Sequence, residues 1–306
     1  MKIARGNGGF TILEIMITLV ISAVIMTAVI GLFQTQVATF HTQESITDIQ
    51  MSGTLVISKL AQEVRLAGFG IPKNTADGTT TSIVAYTNND NAAGNTDSVT
   101  IRYCSGAYGY YYGATPVSPN KTLALSGTGF AVGDTVQVLN LRRENMFPAD
   151  NVTVTGTSGN NVTLSKGLYE SAVPSNLGAF VGAGMVDIRY DVVGAGTDNA
   201  HLRRTVTPVV GGSASNEIVA YGVQDLQLSY GIDQNMDGNV TYTGTPTNAQ
   251  LPRIVAVRIS IILRSDKAGG PTAIQVQAED GSSRGGDGRR WRLFSTTARM
   301  RNAMAI

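Results

Sequence analysis

The sequence predicts an α+β protein: a long N-terminal α-helix, membrane-spanning in its first half and amphipathic in its second, packed on a β-rich C-terminal domain. Three observations carry this prediction. From Ile15 to Phe40 there is no charged side chain, and Ile15 to Phe33 is dominated by Ile, Val, Met, Leu and Ala, a run long enough to cross a bilayer. Next, Ile46, Ile49, Gly53, Val56, Leu60, Val64 and Ala67 recur at spacings of three and four, the signature of a helix with one covered face. Beyond Pro72 that period stops, and alternating β-branched segments separated by turn residues take over.

Taken in order, residues 1–9 form a leader carrying Lys2 and Arg5. The positive-inside rule keeps this leader in the cytoplasm and sends everything beyond about residue 40 outward. A conventional secretory signal is cut after its apolar run at small residues, whereas here Gly8 and Gly9 precede the run. A glycine pair can lie extended in a protease cleft, so a cut after Gly9 would remove the leader and keep the helix. Residues 10–33 are then the transmembrane helix. One acid stands at its head, Glu14. Insertion scales put an acidic residue at a helix centre at about +2.5 to +3.5 kcal/mol, so this carboxylate needs a partner; the Phe10 amine exposed by such a cut is the candidate, and snorkelling to the headgroups is the alternative.

Residues 34–72 are the amphipathic helix and its cap. Glu44, Asp48, Gln50, Lys59, Gln62, Glu63 and Arg65 fall between the stripe residues and are expected on the polar side. Gly68-Phe69-Gly70-Ile71-Pro72 supplies a glycine cap and a proline stop. Residues 73–306 form the β-rich extracytoplasmic domain. Strands are expected at Ser98–Tyr103, Asp134–Leu139, Asn161–Ser165, Met185–Val193, Asp225–Tyr230 and Arg253–Arg264. Turn clusters stand at Asn88–Asn91, Ser158–Asn160 and Gly211–Ser213. In the last of those strands both faces are largely apolar, as in a strand covered on both sides. The glycine-rich stretch Ala268–Arg289 is expected to be a mobile loop.

Gly9-Phe10-Thr11-Ile12-Leu13-Glu14 resembles the class III signal of type IV pilins and pseudopilins. Leu60–Gly68, Val255–Ser265 and Arg289–Thr297 with Arg301-Asn302 resemble segments of the PilW-type minor pilins. The resemblance implies that a prepilin peptidase cuts after Gly9 and methylates Phe10. It implies that Glu14 attracts the Phe10 amine of a neighbouring subunit and sets register in a fibre whose core residues 10–33 supply. Many major pilins carry a proline where this chain has Gly31 and close a C-terminal loop with a disulfide, which the lone Cys104 cannot form; a minor subunit is implied. The expected partners are other minor and major pilins, the prepilin peptidase, inner-membrane assembly machinery and the lipid bilayer. The expected location is the bacterial inner membrane, single pass, with the C-terminal domain in the periplasm, and then the pilus or cell surface. A type II secretion pseudopilin shares these signals. A membrane-tethered periplasmic binding protein or adhesin that never polymerises is the reading from another class.

Chemistry beyond this is sparse. Asp233, Asn235 and Asp237, with Gly238 sixth, copy the start of a calcium loop, but the twelfth position is Gly244, so a simple hairpin turn competes. No other cofactor is expected. One cysteine and two histidines are too few for a Cys/His zinc site, and Cys104 reads as a small buried thiol. No phosphate-binding loop or nucleophile elbow is present, and Asp187, Asp191 and Asp225 are the acids that could be paired, so no enzyme is expected. The net charge of +1 gives no pull toward nucleic acid. Arg284, Arg289, Arg290, Arg292, Arg299 and Arg301 against Asp287 read as a positive patch. Tyr108, Tyr110, Tyr111 and Tyr112 read as a packed strand or an adhesive surface.

Overall fold

The computed structural model describes residues 10–72, 82–89, 96–111, 120–140, 152–168, 179–235, 237–268, 275–277 and 283–301. The chain divides into two compact units, Met1–Asp48 and Ile49–Ile306. Among the described residues it forms one α-helix and 17 strands, the α+β arrangement expected.

Helix α1 spans Ile12–Leu66, 55 residues. In the first unit its side chains are exposed from Phe10 to His41 among the described residues. Its hydroxyls are turned inward: Thr18 donates to the Ile15 carbonyl, Thr27 to Ala23 and Thr35 to Gly31, at 2.9–3.0 Å. A hydroxyl bonded to its own helix needs no water. The helix continues through Gly31.

In the second unit α1 turns one-sided, and Ile49, Gly53, Val56, Leu60, Val64 and then Ala67 are buried as the spacing predicts. The helix ends at Gly68, whose φ of 82° is open to glycine at little cost. There the backbone passes onto the sheet: the Gly68 N–H donates to the Arg102 carbonyl and the Cys104 N–H to the Phe69 carbonyl.

That sheet begins with β1 (Ile83–Thr87) and β2 (Ser98–Cys104), antiparallel to each other. The chain then leaves it for β3 (Tyr108–Tyr111), β4 (Asn120–Ala124), β5 (Thr135–Asn140), β6 (Val152–Ser158), β7 (Asn161–Leu168) and β8 (Ala179–Ala183). These six are one sheet in the order β3-β8-β5-β6-β7-β4. A bridge between Tyr111 and Leu125, beside the Ser126 N–H to Tyr110 carbonyl bond, joins its two edges, so the sheet curls into a small closed barrel. Closure removes exposed edges. Leu123, Leu125, Val136, Val138, Val152, Val154, Val162, Leu164 and Val181 fill it as a separate core.

The chain returns as β9 (Met185–Val193), which pairs with β2 along Ser98–Cys104. With β10 (His201–Pro208) and β11 (Ser215–Tyr221) the first sheet reads β1-β2-β9-β10-β11. The barrel is therefore an insertion between two neighbouring antiparallel strands. A second sheet follows from β12 (Val223–Ile232), β13 (Thr241–Thr243), β14 (Ile254–Ala268) and, after a short hairpin of β15 (Gln275–Gln277) and β16 (Ser283–Gly285), β17 (Arg289–Arg299), in the order β13-β12-β14-β17. Both sheets and α1 share the main core, which includes Leu60, Val64, Ile101, Ile188, Tyr190, Leu226, Ile259 and Ile261. Six expected strands thus correspond to β2, β5, β7, β9, β12 and β14. The stretch Ala268–Arg289 departs from the expected loop: it contains the β15–β16 hairpin.

Candidate functional site

The head of α1 is built by Thr11. Its hydroxyl oxygen accepts the Glu14 N–H at 3.2 Å, and its carbonyl accepts from Glu14 and Ile15. Thr11 is thus the N-cap and Glu14 stands at the third helical position, the spacing of a capping box. Thr-x-x-Glu is the sequence signal for such a cap. A carboxylate there also meets the positive end of the helix dipole, worth about 0.3–1 kcal/mol. That is less than the ~2.5–3.5 kcal/mol cost of placing an acid in hydrocarbon, so the cap alone does not satisfy Glu14 in an apolar setting. Phe10 and Glu14 are both exposed, and Gly9 lies outside the described residues.

In the second unit the helix stripe is fastened to the sheets at two points. Glu63, expected on the polar side, is buried. The Tyr190 hydroxyl donates to its Oε2 at 2.9 Å, and Arg204 Nε and Nη2 reach its Oε1 at 2.9 and 2.8 Å. Arg204 Nη1 lies 3.3 Å from Glu217, which Lys59 of α1 also reaches at 2.7 Å. Burial and then the Glu63 carboxylate push the Tyr190 hydroxyl far up, and Tyr103 is raised for the same reasons. Burial alone would lower Arg204, but its bond to Glu63 and that charge outweigh it and hold it above its ordinary value. The second point is steric. A Cβ at Gly53 would lie 2.3–2.6 Å from three atoms of the Phe294 ring, closer than such contacts allow, so glycine here lets α1 approach β17 closely.

The remaining candidates are placed as follows. Asp233 is buried, and its two oxygens accept the N–H groups of Asp237 and Gly238 at 3.1 and 2.9 Å. Asp237 accepts the Asn239 N–H at 2.9 Å. These bonds shape the turn between β12 and β13, and Asn235 and Asp237 are exposed there. Among the described residues no group of three or more acid, His or Cys side chains is suited to a metal. Asp187 is paired with Arg102, Asp191 with Arg203 and Asp225 with Arg284, so each acid is matched by its own guanidinium. The expected positive patch is partly consumed: besides Arg284, Arg289 reaches Asp198 at 3.0 Å. Cys104 is buried, its thiol donating to the Ala183 carbonyl, and burial pushes it up to about 11. Tyr108, Tyr110 and Tyr111 lie in or at β3; Tyr108 stacks on Phe180, while Tyr112 lies outside the described residues.

Comparison with known families bears on two stretches of the chain. Residues 4–30 match the prokaryotic N-terminal methylation motif, and residues 189–302, from within β9 to beyond β17, match the family described as type IV pilus-assembly protein W. Over these stretches the chain is PilW-like. No curated protein matches this chain. A solved type IV-like pilin from Thermus thermophilus aligns with 85% of this chain and 96% of its own at 10% identity, with a TM-score of 0.39. The barrel, between β2 and β9, lies outside both matched family ranges. The α1 run is long and apolar enough to cross a membrane.

Proposed function

We propose that this protein is a type IV pilin, a minor subunit of a type IV pilus, anchored in the inner membrane with residues beyond about 40 in the periplasm. It would be cut between Gly9 and Phe10 by a prepilin peptidase, methylated at Phe10, and taken into the pilus tip or the complex that starts assembly, among other minor and major pilins. The observation that carries the proposal is the head of α1: a capped, uncovered apolar helix with one acid at its third position.

The mechanism is electrostatic registration. Before assembly Glu14 sits about 6 Å of helix rise from Phe10, close enough to the interface to stay hydrated. When the helix enters a bundle of apolar helices, water is lost and the carboxylate needs a cation. The Phe10 amine of an adjoining subunit supplies one only at a single stagger, so the charge cost rejects every other alignment. The test is incorporation. Glu14→Ala and Glu14→Gln should leave membrane levels of the protein unchanged and remove it from sheared pili. A subunit incorporated normally without the charge would refute registration by Glu14.

A further inference from the structure

The two sheets that share the main core end in four edge strands, β1, β11, β13 and β17. An open edge is a template for any extended chain unless it is short, bulged or interrupted by charge or proline. Three of the four carry such a guard: β13 has three residues, β1 is irregular between Ile83 and Ala85, and β11 bulges at Val219, opposite Leu202 and Arg203. Strand β17 differs. It keeps unbroken register with β14 from Trp291 to Arg299, and within it Leu293-Phe294-Ser295-Thr296-Thr297-Ala298 has no charge, proline or bulge. The Met300 N–H donates to the Val255 carbonyl, so in the antiparallel alternation Phe294, Thr296 and Ala298 also turn their N–H and C=O toward β14. Leu293, Ser295, Thr297 and Arg299 turn theirs away. All four are exposed, and among the described residues no strand pairs with that side.

The ends of this uncharged stretch decide what it accepts. Arg292 and Arg299 flank it, both exposed, and among the described residues neither has a carboxylate partner; Arg292 lies over the Phe294 ring at 5.7 Å. Pairing the central residues of two copies would put Arg292 opposite Arg299 in the antiparallel sense and each arginine opposite itself in the parallel sense. Like charges facing one another across strands oppose pairing, so a second copy of this edge is rejected. We infer that the open edge of β17 takes up an extended segment of a partner protein by strand addition, with an acid opposite each arginine and an uncharged, β-prone stretch between them. Arg292 shares the core-facing side with Phe294, whereas Arg299 shares the outer side with Ser295 and Thr297. The two acids therefore stand on opposite faces of the added strand. Backbone bonds supply the hold, and the end charges set register and select the partner.

The probe is the end-blocked peptide Glu-Thr-Val-Thr-Val-Thr-Val-Glu, with a version ending in lysines as control, added to the full chain in micelles of a nonionic detergent. Hydrogen exchange of single amides is the readout. In the free protein Phe294, Thr296 and Ala298 should exchange slowly, and Ser295, Thr297 and Arg299 fast. The acid-ended peptide should slow the fast set about tenfold when its free concentration is about ten times its dissociation constant, and the lysine-ended peptide should not. Thr297→Pro removes a donor on the open side only, so it should abolish this protection while Phe294 and Thr296 stay slow. Arg292→Glu together with Arg299→Glu should reverse the preference between the two peptides. A fast set already slow in the free chain would overturn strand addition at this edge. So would no slowing at any soluble concentration of the acid-ended peptide, equal slowing by both peptides, binding that survives Thr297→Pro, or an unreversed preference in the doubly changed chain.

Discussion

Glu63 and Glu14 are two acids on one helix with opposite circumstances. Glu63 lies three residues after Leu60 and four before Ala67, so the helical period alone puts it on the covered face. Its polarity suggested the solvent side, yet the period prevailed because Arg204 and Tyr190 wait there to receive it. The partners come from strands more than 120 residues away, which is why the local sequence did not disclose them. Glu63→Gln leaves Arg204 half-paired in a dry site and should cost about 3–5 kcal/mol of domain stability, read as a lower urea midpoint with an unchanged slope. The same residues make an alkaline prediction. Tyr103, Tyr190 and Tyr230 all have raised pKa values, chiefly through burial, so the folded state holds protons that the unfolded state gives up. Their contribution is complete below about pH 10, the unfolded value, and falls as pH rises toward the folded values. Thermal midpoints should be flat up to about pH 10 from this source and decline above it, with tyrosinate absorbance appearing together with unfolding.

At the scale of elements, α1 was the most legible part of the molecule, because two periodic signals and a Gly-Pro stop coincide. Its meeting with β17 was not legible, since a stripe position held by glycine has no side chain to suggest a partner. Gly53→Ala sets two effects against each other. Helix propensity favours alanine by about 1 kcal/mol, while displacing the Phe294 ring costs about 1–3 kcal/mol, and with backbone on one side and sheet on the other the clash should win. The variant should unfold at lower denaturant, and Phe294→Leu in that background should recover part of the loss. Strands were legible where five or more apolar and polar residues alternate, as in β9 and β14. They were not legible where the run is short and broken by glycine, as in β8, whereas the tyrosine cluster marks β3 and the resemblance at Arg289–Thr297 marks β17.

For the whole molecule, the largest unforeseen feature is the barrel. No composition shift or linker marks its borders, because it is spliced directly into a strand pair: the Ser105 N–H donates to the Gly184 carbonyl and the Gly106 N–H to the Ala183 carbonyl, continuing the β2–β9 ladder to the splice point. Its core is separate from the main one. Replacing residues 107–182 with an Asn-Gly turn should therefore leave a folded protein in which β2 and β9 form an ordinary hairpin. Its far-UV circular dichroism should remain β-rich and its unfolding cooperative. The main local loss should be at Phe69, which packs against Tyr108 and Phe180. A collapse of the helix-bound sheets on this deletion would mean that the two cores are one.

The account as a whole depends on what happens at the junction of Gly9 and Phe10, because the amine that Glu14 is proposed to meet does not exist in the uncut chain. Mass spectrometry of the N-terminal peptide of the protein purified from membranes of a pilus-forming host measures this directly. The predicted result is a chain beginning at Phe10 with one added methyl group. A peptide that retains Met1 to Gly9, or one cut beyond the apolar run, would contradict it.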